Sequence, residues 1–320
     1  MAATVNPGAT NYSGTLDSYL YLTFKDNADF LRSDKACAYM KTGVRSTLQL
    51  DKLVYTQNPY EPYVVGNPTF ASGANKSKRE LNPASNKRTI SGTIDPSEWI
   101  EEWDKYAPTG TLTNLRAAPQ IVQSVFELAM NAAKEQEELL FWQGDKLSGT
   151  PALTYQDGLI KKIDTNSDGD IVFIPSIGAV LKTNIFDILW EMYQGMPKKF
   201  RDDPNYKFHV SYNVYDLANE QDIDVKKTSF GLLDNTFKDR FLNKRLVPYL
   251  GMPDTHIIGA RTTGTEDSNF VYANYFGIDN EFRTIRIANT ANLGTEIGYR
   301  VDFMADVQYR NGVDMTVYKV

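Results

Sequence analysis

The stretch Tyr299–Arg310, YRVDFMADVQYR, alternates apolar and polar residues without a break. Tyr299, Val301, Phe303, Ala305, Val307 and Tyr309 fall on one face, and Arg300, Asp302, Met304, Asp306, Gln308 and Arg310 on the other. A period of two over this length predicts one long strand with an apolar face and a polar face. At about 3.3 Å per residue it spans roughly 40 Å. Asn311-Gly312 follows, the pair that favours a type I′ turn, and VDMTVYKV returns, so the chain is expected to close with a β-hairpin. In this reading the polar row faces solvent and Asp302 is a plain surface position.

A strand of that length needs an apolar element of equal length to cover it. The sequence offers one helix. Pro119 suits a first helical turn, and Val122, Val125, Ala129, Ala132, Gln136 and Leu139 recur at three- and four-residue steps, with Gln123, Glu127, Asn131, Lys134 and Glu138 on another face. The helix runs to Trp142, with Gly144 as its stop, and is roughly 35 Å long. Matching lengths place Phe303 against Val125 and Ala129.

Between the N-terminus and this helix lies a segment rich in Asn, Pro, Ser, Gly and Lys, from Lys52 to Pro96. LQLDKLVYT before it and KRTISGTI at its end are β-prone, the pattern of a two-stranded excursion with a loose tip. A loop this long in a compact domain is usually functional or flexible. Its tip gathers Lys76, Lys78, Arg79, Lys87 and Arg88 against Glu80 alone, while the next segment, DPSEWIEEWDKY, carries Glu98, Glu101 and Glu102. A basic projection beside an acidic segment is expected to reach a neighbouring molecule. A short helix is expected within residues 16–43.

After the long helix the chain builds an α/β lobe. In KTNIFDILWEMYQGMP, Ile185, Leu189, Met192 and Met196 form an apolar stripe stopped by Gly195 and Pro197; NYKFHVSY alternates as a strand with Tyr206, Phe208 and Val210 on one side; NVYDLANEQD reads as a short polar helix. At the entry to the lobe stands DTNSDGD, Asp164–Asp170. Asp164, Asn166 and Asp168 followed by Gly169 match the first half of a calcium loop, but the twelfth position, where such a loop needs a bidentate Glu, is Pro175. The favoured reading is an Asp-Gly turn between two strands.

Composition narrows the function. The net charge of -6 argues against tight sequence-blind nucleic-acid binding, which rests on phosphate neutralisation. No apolar run is long enough to span a membrane, and MAATVNPGATNYSG lacks the features of a secretory signal. One cysteine, Cys37, permits no internal disulfide and reads as a small buried hydrophobe. The two histidines, His209 and His256, lack the ligand spacing of a zinc site, and no G-x-S-x-G elbow or phosphate loop occurs. A pair of glycosidase-type carboxylates stays open, because acids are plentiful and none stands out. No cofactor is expected.

The order of these parts resembles the major capsid proteins of tailed bacteriophages, with the Hong Kong 97-type fold. AKEQEELLFWQGD followed by TYQDGLIKKI is similar to the family's spine-helix end and the passage after it, YKFHVSYNVYDLAN to the start of the main helix of its inserted lobe, and EIGYRVDFMADVQYRNGVDMTVYKV to its closing strands. The resemblance implies an α+β fold with an N-terminal arm (1–49), an extended β-hairpin loop (50–96), a peripheral domain with the spine helix (97–160), an axial domain (161–270) and the peripheral β-sheet with the C-terminal hairpin (271–320). It implies no enzymatic activity. It implies a head protein, assembled in the host cytoplasm into hexamers and pentamers of an icosahedral shell around double-stranded DNA, which it contacts non-specifically at most. Expected partners are further copies of itself, a portal, and separate scaffolding or decoration proteins. Met1 leads almost directly into the arm, without the charge-rich helical scaffolding segment of some relatives. None of the loop lysines can be matched to the one that some relatives use for a covalent crosslink. Two other classes meet the same composition: an encapsulin-type nanocompartment shell, and a carboxylate-dependent hydrolase with a β-rich core.

Overall fold

The computed structural model describes residues 30–32, 35–55, 74–94, 133–166, 168–228, 240–275, 285–289 and 297–320. Most of the expected helix, including Val125 and Ala129, lies outside the described residues, as do Glu98, Glu101 and Glu102. Within the stretch expected to hold a short helix, Ala38–Thr42 forms a strand, β1.

The expected long strand is β12, Ile297–Tyr309, 13 residues. It organises a five-stranded sheet in the order β1–β10–β12–β11, with β4 also on β12; here β4 is Lys87–Ile94, β10 Phe270–Tyr275 and β11 Ile285–Asn289. A second sheet of six strands runs β5–β13–β9–β6–β8–β7, formed by β5 Val172–Ile174, β6 Tyr206–Ser211, β7 Arg240–Phe241, β8 Lys244–Tyr249, β9 His256–Arg261 and β13 Met315–Lys319. β2 (Leu48–Tyr55) and β3 (Ala74–Leu81) pair only with each other, as a two-stranded ribbon.

Helix α1 covers residues 133–143. Its aromatic end joins the two sheets: Phe141 stacks on Phe30 with ring centroids 4.2 Å apart, and Trp142 lies 5.1 Å from Tyr249 of β8 and 6.2 Å from Phe270 of β10. Beyond it, Gly144 and Gly158 meet backbone to backbone, Gly158 N donating to Gly144 O at 2.7 Å; a Cβ on Gly158 would lie 2.5 Å from Gly144 N. On the far face of the second sheet, α3 (Ile185–Gly195) and α4 (Tyr212–Thr228) bury Ile185, Ile188, Leu189, Met192 and Val214 against Tyr206, Phe208 and Val210. The sheet is therefore covered on both faces, and β6 buries His209 and Ser211 as well as its apolar residues. The stripe expected in α3 is buried throughout, and the helix ends at Gly195 as expected.

Four expectations are corrected. First, the terminal strands are not a hairpin. β12 belongs to the first sheet and β13 to the second. Asn311 has φ -144°, and Asn269 holds the chain extended by donating to Asn311 O (3.0 Å) while its Oδ1 accepts from Asn311 N (2.9 Å). Gly312 is needed for close approach, since a Cβ there would lie 2.2 Å from Asp170 Oδ1. The left-handed turn is instead at Leu242 (φ 44°) and Asn243 (φ 64°), between β7 and β8. Second, LQLDKLVY pairs with ANKSKREL, and KRTISGTI pairs with β12. Third, LIKKID is a helix, α2 (Leu159–Asp164), so Asp164–Asp170 joins a helix to a strand; Gly169 supplies the positive φ, 63°. Fourth, the polar row of β12 is not wet. Asp302 and Asp306 are buried. Thr89 Oγ1 donates to Asp302 at 2.5 Å, and Asp306 accepts from Lys162 Nζ and from the amide of Asn82, each at 2.7 Å.

These contacts change what the two adjacent positions should do. Phe303→Ala should cost about 3–5 kcal/mol through lost burial and a residual cavity. Asp302→Ala, expected from sequence to be nearly silent, should cost about 1–3 kcal/mol by removing the hydrogen bond between the Thr89 hydroxyl and the buried carboxylate. Urea midpoints of the unassembled subunits check both; a wild-type midpoint for Asp302→Ala would mean that this face is solvated.

Candidate assembly interface

The ribbon of β2 and β3 forms a sheet of its own. Its register runs from Leu48↔Leu81 at the root to Tyr55↔Ala74 at the far end. At the root, Leu50 and Leu81 pack with Val271 and Ala273 of β10. Two eight-residue strands joined by hydrogen bonds carry little stability of their own, so the anchors at the root decide the direction in which the ribbon points.

Arg79, on β3, is the main anchor. Its guanidinium lies 3.9 Å from the centroid of the Tyr309 ring, donates to Asp170 Oδ2 at 2.8 Å and sits 3.3 Å from Asp168. A planar guanidinium suits this combination of stacking and carboxylate pairing in a way that an ammonium does not. Asp170 in turn accepts from the amide of Gly312 (3.1 Å) and from Asn166 Nδ2 (2.8 Å). One carboxylate thus holds the ribbon, the α2–β5 turn and the crossing from β12 to β13.

The second anchor is on β4. Arg88 is buried, 3.2 Å from Glu137 Oε1 of α1, donating to Gln156 Oε1 at 3.0 Å and lying 5.0 Å from the Phe303 ring. Glu137 also accepts from the Tyr272 hydroxyl at 3.0 Å. The neighbouring Glu138, expected on a polar face of the helix, is buried too; it accepts from Trp142 Nε1 (3.1 Å) and Phe30 N (3.3 Å).

Of the cations expected at the loop tip, Arg79 and Arg88 are therefore inside the chain, each facing a carboxylate. Lys76 and Lys78 stand on β3, in register with Leu53 and Asp51, toward the free end of the ribbon. Lys87 is exposed at the start of β4. The sequence reading missed Glu137, Asp170 and Asp306 as partners of Arg88, Arg79 and Lys162. For the first two the usable signal was the identity of the cation, since Arg is the one that pairs in buried sites.

The oxygens of the calcium-like motif face the protein's own cations. Asp164 lies 2.5 Å from Lys319 Nζ and 3.6 Å from His256 Nε2, while Asp168 and Asp170 face Arg79. Burial alone would raise the Asp164 carboxyl, but His256 and Lys319 outweigh it and hold it below its ordinary value. Among the described residues, no group of three or more His, Cys, Asp and Glu is placed to hold a metal ion, and no helix is long and apolar enough to cross a membrane. His209 is enclosed by the rings of Trp142, Tyr249 and Phe270, and burial keeps its imidazole neutral well below the usual range; burial also pushes the Cys37 thiol well up. Both are core residues.

No family model and no curated protein sequence matches the chain. Solved structures do. A chain of the satellite phage P4 procapsid, in a structure that includes the size determination (Sid) protein, aligns at 11% identity with TM-score 0.56, over 98% of this chain and 93% of that one. The capsid of the native GTA particle aligns at 10% identity with TM-score 0.55, over 99% and 95%. A virus-like particle from Pyrococcus furiosus aligns at 10% identity with TM-score 0.50, over 94% and 96%. The chain has the α+β fold of capsid-shell proteins, as the sequence resemblance implied. The named neighbours are shell components and not enzymes.

Burial raises the Glu137 carboxyl above its ordinary 4.5, against the pull of Arg88 and the Tyr272 hydroxyl. A raised folded value means that the native state holds this proton more tightly than the unfolded chain does. The contribution of the group is thus full below pH 4.5 and is lost as pH rises through the folded value. Glu137→Gln should remove that falling component. Urea midpoints of wild type and variant from pH 4.5 to neutral check it; parallel profiles would assign the slope to another group.

Proposed function

We propose that this chain is the major capsid protein of a tailed-phage-type head, forming hexamers and pentamers of a closed icosahedral shell around double-stranded DNA. The observation that carries the reading is the end-to-end alignment with capsid chains, over nearly the full length of both partners and with no large domain left over on either side. Two features of the chain support it. Lys76 and Lys78 stand on a ribbon that pairs only with itself, and Cys37 and His209 are buried in the core. The net charge of -6 fits a shell that touches DNA loosely. Portal, scaffolding or decoration partners and assembly in a host cytoplasm belong to this reading. In it, Lys76, Lys78 and Lys87 contact Glu98, Glu101 and Glu102 of the next copy.

A second reading, a protein-enclosing compartment, is favoured by the likeness to the virus-like particle from Pyrococcus furiosus. The expressed chain should yield particles tens of nanometres across in negative stain. Nuclease-protected DNA inside particles made in the presence of the packaging machinery supports the head, and a protein cargo supports the compartment. A monodisperse monomer under all conditions overturns both.

The ribbon separates assembly from folding. Lys76→Glu, Lys78→Glu and Lys87→Glu combined should lower particle yield several-fold and leave folded, soluble subunits. Exposed pairs are worth only about 0–1 kcal/mol each, but the loss repeats at every contact of a symmetric shell. Arg79→Glu should instead deplete folded subunits, because it places an anion against Asp168 and Asp170. Undiminished particles from the triple variant would remove the ribbon lysines from the interface.

A further inference from the structure

Helix α3 buries Ile185, Ile188, Leu189 and Met192 and turns two other stripes outward. Phe186, Trp190 and Tyr193 stand at i, i+4 and i+7, and Asp187 and Glu191 stand beside them at i and i+4. Trp190 is 47% exposed, with its ring stacked on that of Tyr193 at 6.2 Å. An indole held in solvent by a neighbouring ring is a large apolar surface without cover. Both acids are exposed, and Ile185–Gly195 contains no Lys or Arg. Like charges at i and i+4 are unfavourable by themselves. Of the cations that flank the helix, Lys182 lies 3.7 Å from Glu220, Lys199 2.5 Å from Asp314 and Arg201 5.6 Å from the centroid of the Tyr193 ring. The outward side of α3 is thus aromatic and acidic.

The first sheet carries a surface of the opposite kind. Where it meets the root of the ribbon, a cleft of about 360 Å³ opens between Tyr39 of β1, Leu48 and Leu50 of β2, and Val271 of β10. Its charged lining is Lys41 and Arg310 against one carboxylate, Glu266, which already accepts from the Tyr39 hydroxyl at 3.0 Å. Lys41 is exposed, and Arg310 Nε is buried with no acceptor. Apolar walls, room for a ring and an excess of positive charge suit an aromatic side chain accompanied by acid. We propose that Trp190 of one copy inserts into this cleft on a second copy, with Asp187 and Glu191 facing Lys41 and Arg310. Trp and Arg are the residues on which interfaces most often depend. The helix packs on the six-stranded sheet and the cleft belongs to the other sheet and the ribbon, so the partner surface comes from another molecule. The inference rests on the shell reading above and assigns one contact within it.

The chain is well suited to a thiol test, because its one native cysteine, Cys37, is buried. Lys41→Cys would be combined with Asp187→Cys or with Glu191→Cys, assembled and oxidised, beside the three single variants. The two helix positions are one turn apart, about 5.4 Å, so at least one combination should give disulfide-linked copies in denaturant, and no single variant should. Asp187→Asn with Glu191→Gln should lower particle yield several-fold at low salt and less at high salt. Trp190→Ala should lower it at both. All these positions are on the surface, and unchanged urea midpoints of the unassembled subunits separate a lost contact from a lost fold. Particles that assemble normally while neither combination cross-links overturn this contact and leave the shell reading intact. Linked dimers from Glu191→Cys alone overturn it in favour of helix against helix. Particle yield indifferent to the neutralised acids overturns the charge match. Absence of particles from the wild-type chain overturns the shell reading and this inference with it.

Discussion

Strand β12 is buried on both faces from Asp302 to Val307, so its polar groups there need partners from within the chain. Asp302 takes Thr89 of β4; Asp306 takes Lys162 of α2 and the amide of Asn82; Gln308 donates to the carbonyl of Glu80 at the root of the ribbon. An unpaired carboxylate in this position would be costly. The requirement ties β4, α2 and the ribbon to one strand, and these are the elements whose relative placement gives the subunit its outline. The buried Arg88–Glu137 pair extends the same logic to α1.

That covering also explains where the sequence was readable. Apolar periodicity located β12, α3 and β6 correctly, and Gly195 marked a true helix end, because these signals depend on residues adjacent in the chain. The two faces of β12 were chemically distinct as expected. Which of them was wet was not legible, since alternation reports a difference between faces, and the groups that satisfy Asp302 and Asp306 come from more than a hundred residues away. Glu138 was misjudged for the same reason. Strand pairing was misread where a local turn signal existed without the pairing it usually accompanies. Asn311-Gly312 is such a case, its backbone being held extended by Asn269 and its glycine reserved for Asp170.

The candidate interface was legible as a region but not as residues. A basic, loop-like excursion was evident between residues 50 and 96, yet two of the five cations assigned to its tip turn inward. Sequence spacing alone could not separate them from the lysines, although the physical difference between the side chains does: a guanidinium stacks and pairs in a buried setting, while an ammonium is better left hydrated. The aspartate-rich motif is likewise accounted for by ligands of its own chain, Arg79 and Lys319. The edges of the six-stranded sheet could not be recognised at all before the strand order was known.

The pairing of distant strands has a consequence for biosynthesis. β1, near residue 40, pairs with β10; β4 pairs with β12; and β5 is joined to its sheet only through β13, at residues 315–319. Such non-local pairing is slow to form. The body cannot close until residues 315–319 have been added. Chains emerging at about 5–20 residues per second must therefore hold their unfinished strand edges apart for many seconds. The strands made first wait longest for the partners that cover them.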